Sequence, residues 1–244
     1  MTIPVYHSLE LPAAPAERPY VILNMVMSLD GKAVIGRDER GLGSPVDQRL
    51  MREIRTNADL ILNGAETLRT SGVSPRLNAP ELEALRLSRG KPNLPSSAVV
   101  TRSGNLPLER AFFTAKDFDA IVYAADSAPS GIMDAVVSTG RSAIRLPKVM
   151  PFPWMLAHMR HELGAEVLLV EGGPDVNAQL FAIDAIDEFF ITVAPMVVGG
   201  RNTITPVEGQ EALSGDTLRR FSLVSCVPNE ETAELYIRYR RART

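Results

Sequence analysis

The chain has 244 residues, of which 45% are hydrophobic and 23% charged, with a formal net charge of −3. That is enough apolar material for one large core, and the slightly acidic balance supplies no basic footprint for a nucleic acid. The single cysteine, Cys226, excludes an internal disulfide and any cysteine-rich metal centre, and it fits a reducing, cytoplasmic compartment.

Residues 1–18 carry Pro4, Pro12 and Pro15 and lack the basic and apolar segments of a signal peptide, so an irregular arm is expected ahead of one domain over residues 19–244, with no membrane span. Tyr20–Leu29 is almost wholly apolar, as a strand covered on both faces would be. Ser44-Pro45-Val46-Asp47 predicts a helix start, with Ser44 as the cap, Pro45 at the first helical position and an acid three residues after the cap. Leu50, Met51, Ile54 and Ala58 fall on one face, extending that helix to about Asn57. Leu60-Ile61-Leu62 reads as a strand running into Gly64, and residues 97–101, 120–124 and 143–146 read as three more. Between them, Ser71–Pro95 holds Pro75, Pro80, Pro92 and Pro95 around an arginine-rich stretch, Glu81–Arg89, expected to be a short surface helix. An excursion of this length between core strands predicts a lid or binding loop.

A helix is expected from about Pro153 to Leu163, with Leu156, Met159 and Leu163 inward and His158 and His161 on the opposite, solvated face, which argues against a metal site there. A strand at Val167, a helix from Pro174 to about Ile183 and a strand over Phe189–Val198 follow. Phe221–Val227 and Ala233–Tyr239, joined by Pro228-Asn229, predict a terminal β-hairpin. Strands alternating with helices imply an α/β fold: a mostly parallel sheet with helices on both faces, and the hairpin as its antiparallel edge.

The most informative run is Val167-Leu168-Leu169-Val170-Glu171-Gly172-Gly173-Pro174-Asp175-Val176-Asn177. A buried strand ends in an acid and two glycines, and a helix begins at once. Such a turn lets a ligand approach the backbone and offers it the unpaired N–H groups of a helix start, although an ordinary packing turn has the same sequence. No zinc-deaminase signature, complete Gly-x-Gly-x-x-Gly, Walker motif or Gly-x-Ser-x-Gly elbow is present. The remaining polar groups cluster at strand ends: Ser28, Asp30, Gly31 and Lys32; Asn63, Gly64 and Thr67; Thr101, Arg102 and Ser103; Glu171, Gly172 and Gly173. In a parallel sheet all four clusters share one edge, which favours a common ligand, while Asp30-Gly31 by itself is equally a plain turn.

Together with Arg55 and Ala58-Asp59, Gly64-Ala65-Glu66-Thr67, Asp187-Glu188, Ala194-Pro195 and Gly199-Gly200, these strings resemble the pyrimidine reductase of riboflavin biosynthesis, a dihydrofolate reductase-like family, over roughly Pro19–Tyr239. The apolar strands near Phe189–Val198 and the terminal hairpin are expected to form the face of a homodimer, and no nucleic-acid, membrane or metal partner is expected. The resemblance implies a hydride transfer from NADPH to the ribose C1 of a phosphorylated ribosylamino-pyrimidine. It implies that Val26, Gly64, Thr67, Thr101, Gly172, Gly173, Pro174, Asp175, Val176 and Asn177 meet the cofactor, with Arg102 and Ser103 at its 2′-phosphate. It implies catalytic roles for Lys32, Glu171 and Asp30, and substrate contacts for Ser28, Arg55, Arg76, Leu77 and Glu171. One element departs from the family: at Thr70–Asn78 only Pro75, Arg76 and Leu77 echo its pattern, and the aspartates are missing. A reductase of another small heterocycle and a non-catalytic nucleotide-binding module therefore stand as alternatives.

Overall fold

The computed structural model describes residues 3–36 and 39–242. In chain order the elements are β1 (Tyr20–Ser28), α1 (Pro45–Arg55), β2 (Leu60–Gly64), α2 (Ala65–Thr70), α3 (Pro80–Ser88), β3 (Ser96–Thr101), α4 (Ala111–Thr114), β4 (Ala120–Ala124), α5 (Ser130–Ser138), β5 (Ser142–Arg145), α6 (Pro151–His161), β6 (Val167–Val170), α7 (Pro174–Ala182), β7 (Glu188–Ala194), β8 (Phe221–Pro228) and β9 (Leu235–Arg241). They form a nine-stranded sheet of order β5-β4-β3-β2-β6-β1-β7-β9-β8. The seven strands from β5 to β7 are parallel, and β9 and β8 continue the sheet antiparallel, as the alternation of patterns predicts. No helix among the described residues is long and apolar enough to cross a membrane.

Successive strand residues point to opposite faces, so the sheet carries a core on each side. Val21, Leu23, Leu60, Leu62, Leu168 and Val170 pack against α6 and α7 through Met155, Leu156, Met159, Leu180 and Phe181. Ile22, Ile61 and Leu169 face the other way, onto Leu50 and Ile54 of α1. The same side continues past α2 and α3 to Phe112, Phe113 and Val136. Ser44 caps α1 as expected, its Oγ accepting from the amides of Val46 and Asp47 at 3.1 and 3.3 Å.

Four expectations change. The arm is irregular but docked: Tyr6 is buried edge-on to Phe190, its amide donates to Glu53 at 2.7 Å, and Asn57 donates to its carbonyl at 2.7 Å. The 71–95 excursion is fixed in place. Leu77, Leu82 and Leu94 enter the core, and the completely buried Arg86 caps the end of α1 by donating to the carbonyls of Ala58 at 2.5 Å and Thr56 at 3.2 Å. Burial lowers the Arg86 pKa to about 10, leaving it a cation satisfied by carbonyls. On α6, Met155 takes the inward place given to Leu163, which is exposed. His158 is half-buried, stacked on Trp154 and 3.0 Å from the Tyr123 hydroxyl, so only His161 fits the solvated reading. Finally, β7 stops at Ala194: Pro195 has no N–H to donate, and the amides of Val198 and Gly199 turn to Asp30 instead.

Candidate active site

A cleft of about 420 Å³ opens at the carboxyl ends of the central strands. Its floor is the end of β1 (Asn24, Met25, Val26) with Asn63 of β2 and Glu171, Gly172 and Gly173 after β6. α1 forms one wall with Asp47, Met51 and Arg55, α2 contributes Glu66, Thr67 and Thr70, and Gly72, Val73 and Ser74 close the rim. The insertion of β6 between β2 and β1 brings the Gly64 and Gly172-Gly173 turns side by side.

Those two turns are in backbone contact. The Gly64 amide donates to the Gly172 carbonyl at 2.9 Å. A Cβ on Gly64 would lie 3.1 Å from the Gly173 amide nitrogen and 3.3 Å from Val176 Cγ2, and Gly172 has φ of +87°, a conformation that favours glycine. The Gly172–Gly173 peptide is cis. Gly173 is the N-cap of α7 and supplies no side-chain cap, and Pro174 at the first helical position has no N–H, so the amides of Asp175 and Val176 are the uncapped donors of this helix start. Beside them, the buried Asn63 Nδ2 has no hydrogen-bond partner in the protein. An orphaned donor next to an uncapped helix start matches a ligand that brings anionic and neutral acceptors, which is the chemistry of a dinucleotide.

The other wall is made of side chains. Arg55 grips Glu171 with two parallel hydrogen bonds, Nε to Oε1 at 2.6 Å and Nη2 to Oε2 at 2.7 Å, and donates Nη1 to the Arg76 carbonyl at 3.0 Å. Both side chains are nearly 90% covered. Asp59, four residues along from Arg55, is not its partner: it bonds Lys91 and the amides of Glu166 and Val167.

The predicted site residues divide accordingly. Val26, Thr67, Gly172, Gly173, Pro174, Arg55 and Glu171 line the cleft. Val176 and Asn177 are buried beneath it, and Asn177 donates to the Pro206 carbonyl at 2.7 Å; Asp175 points to solvent. Ser28, Asp30 and Lys32 form a closed turn beside the cleft. Ser28 Oγ donates to Asp30 at 2.6 Å and accepts from the Lys32 amide at 2.9 Å. Asp30 also accepts from Val198 at 3.0 Å and Gly199 at 2.7 Å. The Ser28 bond and those amides hold its carboxyl down at about 2. Lys32 is outside the lining, next to Ala33, which is part of it. Thr101 is buried at the end of β3, where its Oγ1 accepts from Gly104, and Arg102 and Ser103 are exposed beyond it. Arg76 already holds Asp117 through two bonds of 2.7 and 2.8 Å. Leu77 is completely enclosed in the core, so the structure assigns it to packing rather than to a substrate contact.

Asp47 joins the cleft without having been singled out beyond its place in the helix start. Its signal was nonetheless in the sequence, since it precedes Leu50, Met51 and Ile54 at spacings of three, four and seven and so shares their apolar stripe.

Known proteins are similar to this chain over most of its length. A 2,5-diamino-6-ribosylamino-4(3H)-pyrimidinone 5′-phosphate reductase of Aquifex aeolicus is 29% identical over 200 residues, covering 80% of this chain and 84% of the relative. A protein of the same name from Methanothermobacter thermautotrophicus is 27% identical over 193 residues, covering 79% and 85%. The crystal structure of a pyrimidine reductase-like protein from Corynebacterium diphtheriae has the same fold, with a TM-score of 0.80, 20% identity and 93% of each chain covered. Residues 19–230 match the RibD C-terminal domain, and the chain belongs to that family.

Proposed function

We propose that this protein is an NADPH-dependent oxidoreductase of riboflavin biosynthesis, reducing a ribosylamino-pyrimidine 5′-phosphate to its ribityl form, and that it works as a cytoplasmic homodimer. The observation that carries the reading is the continuity of the cleft: an anion-binding helix start and an orphaned amide donor at one end run into a carboxylate–guanidinium pair at the other. The family membership and the names of the relatives support the same class of reaction.

When bound, the reduced nicotinamide supplies the hydride. The chain's own residues bind and orient. The amides at the start of α7 and Asn63 Nδ2 hold acceptor groups of the cofactor, with Thr67 beside them, and Arg102 with Ser103 extends the site to the 2′-phosphate. Glu171 accepts hydrogen bonds from the pyrimidine, sharing its oxygens with Arg55. The Arg55 guanidinium then turns toward the 5′-phosphate, with Arg76 behind it. Lys32 donates to the sugar, and Asp30 fixes the turn that presents Lys32. The open strand β8 exposes Leu223 and Val224, which supports pairing of two copies, a point that light scattering tests. The direct test of function is NADPH consumption with the ribosylamino-pyrimidine phosphate, with dihydrofolate alongside it. Turnover of the first is the expected result, and turnover of dihydrofolate alone would replace this reading with that of a different heterocycle reductase.

A further inference from the structure

Asp47 is an ionisable group of the cleft that has no part in the roles above. The Asp47 carboxyl lies on the wall of the cleft and of a small inner cavity lined by Tyr6, Leu50, Phe190 and Tyr236. Gly43 makes room for it: a Cβ there would stand 2.0 Å from Oδ2. Thr192 of β7 lines the same inner cavity, and among the described residues no lysine or arginine forms an ion pair with Asp47. The ionisable groups around it are Glu234 ahead of β9, Tyr236 and Tyr6 across the inner cavity, Glu39 and Arg40 at the cleft rim, and Arg55, whose fork is taken by Glu171. Burial disfavours its charged form and the nearby Glu234 carboxylate adds to this, raising the carboxyl to about 6, with the Thr192 hydroxyl opposing.

The proposed reaction needs a proton as well as a hydride. In the closed sugar, C1′ bears both the amino nitrogen and the ring oxygen, and it can take a hydride only after the C1′–O4′ bond opens. In that step the nitrogen lone pair forms a C1′=N bond, the C1′–O4′ electron pair stays on O4′, and O4′ must gain a proton. We propose that Asp47 donates this proton, ending as a carboxylate beside the cationic iminium, and is reprotonated by solvent through the cleft. The inference rests on the function proposed above, because that reading supplies the glycosylamine. It deepens that reading by giving ring opening its own acid, on α1 rather than at the strand-end turns.

Ring opening and closing interconvert the α and β anomers of the substrate without any cofactor, so the step can be observed alone. Exchange NMR on the ribosylamino-pyrimidine phosphate with cofactor-free protein should show enzyme-catalysed anomer exchange that falls about tenfold per pH unit above about pH 6. Asp47→Asn should slow exchange on the order of 50-fold or more while calorimetry gives nearly unchanged substrate affinity. Thr192→Val, which leaves the acid in place, should shift the pH midpoint upward. Unchanged exchange in Asp47→Asn with substrate bound, or no exchange in wild-type protein that binds substrate, overturns the proton-donor role alone. Failure of wild-type protein to bind the compound overturns the functional reading and this inference with it.

Discussion

The wall of the cleft made by β2, β6 and the start of α7 consists of backbone, whereas the wall made by α1 consists of side chains. On the first, Gly64, Gly172 and Gly173 meet through main-chain atoms, and the ligand groups are amides fixed by the fold itself. On the second, Asp47, Met51 and Arg55 all project from α1, and Arg55 is held by two bonds to Glu171, which follows β6 far along the chain. A cofactor common to a family suits a wall that tolerates little change, while a wall of side chains can be rebuilt for another substrate without moving the scaffold.

The largest expected effect breaks the backbone wall. Gly64→Val drives a branched side chain into the Gly173 amide and Val176, and cofactor affinity measured by calorimetry should fall on the order of 100-fold, about 3 kcal/mol. On the other wall, Arg55→Ala strands the covered Glu171 carboxylate and should cost roughly 2–4 kcal/mol in denaturant unfolding. The double variant Arg55→Ala with Glu171→Ala should lose less than the sum of the two single variants, because it leaves no unpaired charge. If the pair costs nothing to break, the side-chain wall is not self-supporting and the contrast fails.

Asp47 sharpens the comparison through pH. Its carboxyl is raised to about 6, so the folded state keeps a proton that the unfolded chain gives up from about pH 4. Wild-type stability should therefore decline as pH rises through that window and stay lower above it. Asp47→Asn should be more stable than wild type at pH 8 by about 2 kcal/mol, with the difference vanishing below pH 4. The smallest effect is expected at the rim. The Arg76–Asp117 pair is substantially exposed, so Arg76→Ala should change stability by less than about 1 kcal/mol. Its effect on the preference for phosphorylated over dephosphorylated substrate should also be weaker than that of Arg55→Ala.

This contrast also explains what could be read in advance. The order of strands and helices, the parallel sheet and the terminal hairpin follow from periodicity, and the Gly172-Gly173 turn announces itself because glycine is required by a local conformation. The Arg55–Glu171 pair spans 116 residues, and no local pattern specifies it. Arg86 sits in a stretch whose charge reads as surface, and it is buried only because the end of α1 offers it carbonyls. Leu77 lies next to a family-like arginine, yet core packing decides its place. Asp47 is the intermediate case. Its position on the apolar stripe and the nearby Gly43 were legible, but Thr192 and Glu234 reach it only in the folded chain.

The most direct measurement of the reductase assignment is the fate of the transferred hydrogen. With NADPH deuterated at the reducing carbon and the ribosylamino-pyrimidine 5′-phosphate as substrate, the ribityl product should carry one deuterium, located by NMR at C1′. NADPH oxidation without deuterium at C1′, or no product at all from protein that binds both ligands, would contradict it.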